Sequence, residues 1–188
     1  MPWLIIILGY LLGSVPTAYL AGHLRKGVDI RQVGDKNMGA ANAFRQLGPK
    51  TGVAVGLVDA GKGALVILIA QAAGTPQLAI LGAGAASVVG HNWPVFISFR
   101  GGRGVSTTIG VLLAVITHPM LIVALPSTLT LLIKKNVSLA CAVLFIPLPL
   151  VCWWLGTSGL LTVYGIGLPC LVGFTHLLRA RRQTMPQT

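Results

Sequence analysis

Between His91 and Thr108 the chain reads His-Asn-Trp-Pro-Val-Phe-Ile-Ser-Phe-Arg-Gly-Gly-Arg-Gly-Val-Ser-Thr-Thr, a dense polar cluster in an otherwise apolar sequence. This composition suits the binding of an anion. Gly101, Gly102 and Gly104 let the backbone come close to a ligand, and Arg103 supplies forked donors that match phosphate or carboxylate. A helix starting after Gly104 would add unpaired backbone NH groups around Ser106 and Thr107. His91, beside Asn92, has the chemistry of a general base or an oxyanion donor. A lone histidine in an apolar chain is more often a hydrogen-bonded structural residue, and membrane topology alone also places basic loops between hydrophobic segments.

A second polar stretch, Gly34-Asp35-Lys36-Asn37-Met38-Gly39-Ala40-Ala41-Asn42-Ala43-Phe44-Arg45, is too rich in Gly, Asn and Ala to be a spacer. Asn37 and Asn42 can donate to and accept from a polyol or a phosphate, and Arg45 can pair with a phosphate. It is no P-loop, because Ala40 follows Gly39 where a lysine belongs. Topology would explain the Lys and Arg here but not the asparagines. A third candidate is Asp59 with Lys62, spaced to face each other on a helix that is otherwise apolar. Ionisable residues at membrane depth usually mark function, and the alternative is an interfacial helix with an ordinary exposed pair.

The elements that must position these residues follow from composition. Of 188 residues 54% are hydrophobic and 9% charged, with mean hydropathy +0.82, far from the quarter charged of a soluble domain. The expected fold is all-α, a polytopic integral membrane protein with one domain over residues 1–188. Fourteen Lys and Arg face three acids, Asp29, Asp35 and Asp59, giving a formal charge of +11. Apart from Asp59 and Lys62 these charges sit in short loops, which points to topology and membrane lipids as partners and not to nucleic acid. Cys141, Cys152 and Cys170 lie in late apolar segments and read as small hydrophobes. With no Lys or Arg before Arg25, the first segment is expected to remain as an anchor.

Seven segments approach the length needed to cross a bilayer: Trp3–Gly22, Thr51–Gly74, Gln77–Val89, Val105–Thr117, Met120–Ile133, Ser138–Gly156 and Gly159–Leu178. The fourth and fifth are short, about 14 residues each, with His118 and Pro119 between them. Pro16 should break the first segment, Gly9 and Gly13 suit close helix packing, and Pro147, Pro149 and Pro169 should kink the last two. The tail from Gln183 is expected to fray. Lys and Arg occupy alternate connections and follow the seventh segment, which places the N-terminus outside and the C-terminus in the cytoplasm. Both polar stretches then lie on the cytoplasmic side.

In these motifs the chain resembles the bacterial inner-membrane acyl-phosphate:glycerol-3-phosphate acyltransferases, the PlsY family. The resemblance is carried by Gly13-Ser14-Val15-Pro16, by Gly34 to Arg45, by Asp59-x-x-Lys62-Gly63, and by His91 to Thr107. It implies a seven-helix enzyme that moves a fatty acyl group from acyl phosphate to the first hydroxyl of glycerol 3-phosphate, releasing lysophosphatidic acid and phosphate in phospholipid synthesis. It implies no cofactor, no metal and no acyl-CoA. Carried over, Arg45, Asn37 and Asn42 would hold glycerol phosphate or acyl phosphate, Arg103 would do the work of a family lysine, and Gly101, Gly102 and Gly104 would let the backbone approach phosphate. His91 would orient or deprotonate the hydroxyl, or the leaving phosphate would take that proton itself. The chain departs from the family at Asp35, Lys36 and Ala41, and near its C-terminus, where His176 is present but Arg179 stands near the place of an asparagine. A divergent paralogue acting on another phosphorylated alcohol, and a non-catalytic lipid- or phosphate-binding protein, are the rival readings.

Overall fold

The computed structural model describes residues 2–184, with side chains as far as Arg179. All regular structure among them is helical: α1 Pro2–Gly13, α2 Thr17–Lys26, α3 Ala40–Leu47, α4 Pro49–Ala72, α5 Gln77–Asn92, α6 Val105–Val115, α7 Thr117–Lys134, α8 Val137–Phe145, α9 Leu148–Trp154 and α10 Gly159–Thr184, with a 3-10 turn at Val95–Ile97. α10 carries through Gln183 and Thr184; the rest of the tail expected to fray, and the side chains of Arg181 and Arg182, lie outside the described residues.

Six stretches are long and apolar enough to cross a bilayer: Pro2–Lys26, Pro49–Ala72, Gln77–Ile97, Thr117–Lys134, Val137–Trp154 and Gly159–Arg179. The fourth expected segment makes only the 11 residues of α6. At 1.5 Å per residue that is roughly 16 Å, about half a hydrocarbon core. α6 is instead held inside the bundle, against α4, α5, α7 and α10. The expected break at His118-Pro119 falls earlier. Ile116 leaves the helical region at φ −130°, and both residues sit in the first turn of α7, where the missing NH of proline costs no hydrogen bond. Pro16 does separate α1 from α2, and α8 parts from α9 at Ile146-Pro147.

Lipid is as apolar as leucine, so helices associate there through close contact and not by escaping water. Gly9 lies against the backbone of Ala83 and Gly13 against that of Ser87, joining α1 to α5. Gly63 on α4 meets Thr107, and Gly110 on α6 meets Ala60. A Cβ at any of the four would overlap main-chain atoms. Ile67, Val88, Val111, Leu112, Met120 and Leu148 form the buried centre of this assembly. A smaller cluster of Ala18, Ile30, Met38, Ala43, Leu47 and Val55 seals the underside of the first polar loop.

Candidate functional site

The loop before α3 is folded around one side chain. Asn42, fully buried, donates from Nδ2 to the carbonyls of Ile30, Val33 and Asn37 at 3.0–3.1 Å and accepts from the Asp35 NH at 3.1 Å. Its amide, expected to meet substrate, is in this structure committed to the backbone of residues 30–37. The turn itself needs left-handed residues at Gly34 and Lys36, with φ of 58° and 52°. Arg31 fastens this loop to the next: it donates to Asp29 at 2.8 Å and to the Ile97 carbonyl at 3.1 Å, and lies 4.7 Å from the Tyr19 ring centroid. Hydrogen bonds from the Arg31 side chain hold the Asp29 carboxyl below the usual carboxylate range. At the open side of the loop Arg45 pairs with Asp35.

The second polar stretch doubles back on the end of α5. The Gly101 NH donates to the Asn92 carbonyl at 3.2 Å and the Gly102 NH to that of His91 at 3.0 Å. Gly102 packs on the His91 ring so closely that a Cβ would strike Nε2, and Gly104, at φ 82°, turns the chain into α6. α10 grips the same loop from the other side. Thr175 donates to the Arg103 carbonyl at 3.2 Å, while Arg179 donates to the carbonyls of Gly101 and, at 2.8 Å, Asn92.

Beneath the two loops lies a buried ionic chain. Lys62 Nζ stands 2.9 Å from Asp59 Oδ1 and donates to the Val15 carbonyl at 2.9 Å, next to the break made by Pro16. The His91 Nδ1 is 3.5 Å from the same Asp59 oxygen. With exposures of 1% for Asp59, 8% for Lys62 and 3% for His91, the exposed-pair alternative is excluded. Charges this deep persist only when paired.

The two stretches meet at one cavity of about 1000 Å³. Asp35, Asn37, Gly39 and Arg45 line it from the first, His91, Arg103, Gly104 and Ser106 from the second, and Asp59 and His176 from α4 and α10. Asn37 Oδ1 and Arg103 Nε are buried at this wall with no hydrogen-bond partner among the described residues. Side-chain atoms of Thr17, Asp59, His91, Asn92, Thr107 and Thr108 are likewise buried without a hydrogen-bond partner, and of all these groups Asn37 and Arg103 are the ones on the cavity wall that suit a phosphorylated polyol. Of the other expected substrate contacts, Gly34 and Lys36 lie exposed on the first loop, and Lys62, Asn92, Gly101, Gly102 and Thr107 are buried beside the cavity without lining it. Lys62 is spent on Asp59, whereas Asn92 and Thr107 are fully buried with side-chain polar atoms that have no hydrogen-bond partner among the described residues.

Away from the loops the cavity becomes apolar, walled by Phe145, Ile146, Pro149, Ile166, Pro169 and Val172. Membrane topology alone accounts for a basic connection from α7 to α8. Lys134, Lys135, Asn136 and Ser138 also line the cavity. The sequence marks this connection only with its pair of adjacent lysines. One space therefore offers cations and unpaired polar groups at one end and hydrocarbon at the other, which defines a site for an anionic, lipid-bearing reactant.

Residues 3–184 match the family model for glycerol-3-phosphate acyltransferase. Glycerol-3-phosphate acyltransferase 4 of Dehalococcoides mccartyi is 48% identical over 98% of this chain and 100% of its own length, and glycerol-3-phosphate acyltransferase 1 of the same organism is 36% identical over 94% and 88%. A crystal structure of PlsY, an integral membrane glycerol 3-phosphate acyltransferase, in its glycerol 3-phosphate form superimposes with a TM-score of 0.86 at 36% identity, covering 97% of this chain and 91% of that one. Its lysophosphatidic acid form gives 0.83 at 35% identity. The chain belongs to the glycerol-3-phosphate acyltransferase family and is a multi-pass membrane protein.

Proposed function

We propose that this protein transfers a fatty acyl group from an acyl phosphate to the sn-1 hydroxyl of glycerol 3-phosphate, giving lysophosphatidic acid and inorganic phosphate. The observation that carries this reading is the single cavity in which Arg45, Arg103 and the unpaired Asn37 share a wall with an apolar groove. Arg45 and Arg103 grip the glycerol phosphate, and Asn37 Oδ1 accepts from one of its hydroxyls. The groove between α8, α9 and α10 takes the acyl chain.

In the reaction the glycerol oxygen bonds to the acyl carbonyl carbon, the bond from that carbon to the phosphate oxygen breaks, and the proton of the hydroxyl leaves with phosphate. The acyl phosphate brings its own leaving group, so positioning and charge stabilisation carry most of the work. The free NH groups at the start of α6, beside Gly104 and Ser106, suit the oxygen that gains charge. Burial of His91, with Nδ1 turned to Asp59 and Nε2 against Gly102, favours a positioning role over that of base. His176 contributes a polar contact from α10.

Alternation of basic connections supports a bacterial inner-membrane setting with the polar mouth in the cytoplasm, the N-terminus outside, and α6 counted as a short seventh crossing. The pairing of Asp35 with Arg45 favours, as a second reading, a different phosphorylated alcohol as acceptor, since a carboxylate stands where incoming phosphate must bind. Purified protein supplied with palmitoyl phosphate separates the readings. Phosphate release only when glycerol 3-phosphate is also present is the expected result. Release with another acceptor alone supports the second reading, and binding without release under every condition overturns both.

A further inference from the structure

The reaction proposed above has two phosphorylated reactants, and the cavity has a second set of cations that it does not use. Lys134 ends α7, Lys135 follows it, and both line the cavity together with Arg45 and Arg103. Each of the three acids in the chain is paired with another cation, Asp29 with Arg31, Asp35 with Arg45 and Asp59 with Lys62. Fourteen Lys and Arg against three acids leaves most of the positive charge to be balanced from outside the protein.

The turn is built with some care. Lys135 holds φ 50°, a left-handed conformation at the end of α7, whereas the turn after α2 uses Gly27, that after α4 uses Gly74 and that after α9 uses Gly156. Lys36, Ser98 and Phe99 share this conformation among the described non-glycine residues, and of these four Lys135 is the one that lines the cavity. The Lys135 NH bonds the Leu131 carbonyl at 2.9 Å, and the Asn136 side chain caps α8 by accepting from the Leu139 NH at 3.0 Å. Both ends of the turn are thereby fixed.

From this turn one face of α8 runs along the cavity: Val137, Cys141 and Phe145, at intervals of four, line it, with Pro149 continuing on α9. The rise from Val137 to Phe145 is roughly 12 Å. Two cations at the head of an apolar stripe match a single hydrocarbon chain that ends in a phosphate.

We propose that the Lys134–Lys135 turn and the adjoining face of α8 bind the phosphate head and first carbons of a single-chain acyl or alkyl phosphate, apart from the Arg45 and Arg103 that hold glycerol phosphate. The inference rests on the proposed acyl transfer for the identity of its natural ligand. Its test does not need turnover. Binding of dodecyl phosphate and of glycerol 3-phosphate is measured by calorimetry for the wild type and for the Lys134→Gln/Lys135→Gln protein, each in nanodiscs of phosphatidylcholine.

Dodecyl phosphate is expected to bind the variant about tenfold more weakly or worse, with glycerol 3-phosphate unchanged within about twofold. Lys134→Arg/Lys135→Arg, which keeps the charge, restores dodecyl phosphate binding and shows that the variant has not simply lost its fold. Unchanged dodecyl phosphate affinity, or equal weakening of both ligands, overturns the proposal. So does loss of wild-type dodecyl phosphate binding when phosphatidylglycerol is added to the nanodisc, because the lysines would then serve bilayer lipid. Failure of the wild type to turn over palmitoyl phosphate with glycerol 3-phosphate would sink the functional reading while leaving these binding results to stand by themselves.

Discussion

Residues up to Gly110 and residues after it are packed by different rules. In the first part helices touch backbone to backbone at Gly9, Gly13, Gly63 and Gly110, and the ionic chain of Lys62, Asp59 and His91 runs through the middle. In the second part the helical Gly159, Gly167 and Gly173 have nothing within 4 Å of an added Cβ, Gly165 meeting only the side chains of Ile116 and Leu148, and its three spans bury a smaller share of their length than those of the first part. The tight part holds two polar loops at fixed positions, and the looser part supplies a hydrocarbon wall. A reaction between a small polar acceptor and a long-chain donor asks for both: geometry fixed to within an ångström at the phosphate, and tolerance along the chain.

The contrast can be broken most forcefully at Asp59. Asp59→Ala strands Lys62 in the bundle and is expected to cost about 3–5 kcal/mol, read as a fall in the detergent-unfolding midpoint; a loss under about 1 kcal/mol would mean that the ion pair is not what joins α4 to the break at Pro16. Next in size, Arg45→Ala and Arg103→Ala should each lower kcat/KM for glycerol 3-phosphate on the order of 100-fold with little change in stability. Gly110→Val should cost about 1–3 kcal/mol, whereas Gly167→Val, in the looser part, should stay within about 0.5 kcal/mol. Equal losses from the two glycine variants would erase the contrast.

Smaller effects sharpen it. Asp35→Ser removes the resident carboxylate from Arg45 and should leave turnover equal or raise it by up to about fivefold; an inactive variant would give Asp35 a role of its own. Asp29 has a folded-state pKa held down by Arg31, so its contribution is present above its unfolded value and is lost as pH falls through the folded one. Asp29→Asn should therefore be less stable than wild type at pH 7 by under about 1 kcal/mol, and the gap should close below about pH 4. A gap that widens on acidification would reverse the assigned sign.

How far the sequence spoke follows from the same physics. Spans were legible because hydropathy is a property of composition, and the breaks at Pro16 and Pro147 because proline forbids a hydrogen bond locally. The shortness of α6 was hidden: its boundary is set by Ile116 leaving the helix and by Gly110 seating on Ala60, a contact between segments 50 residues apart. Arg45 and Arg103 stand out by type, since few residues suit a phosphate, and the structure places both on the cavity wall. Asn42 shows the complementary case: the donors and acceptors that suit a substrate suit a loop backbone equally, and only the fold reveals that the backbone takes them here. Lys134 and Lys135 carry no signal beyond topology in the sequence, because a basic connection is what a membrane protein demands anyway.

The claim on which the rest depends is that loops 60 residues apart in sequence hold one substrate phosphate together. A double-mutant cycle on kcat/KM for glycerol 3-phosphate, comparing Arg45→Ala, Arg103→Ala and the two combined, reads that directly. If both arginines grip the same phosphate, the combined variant will be far less impaired than the product of the two single losses. Losses that multiply in full would place the two guanidinium groups on separate tasks and contradict the shared grip.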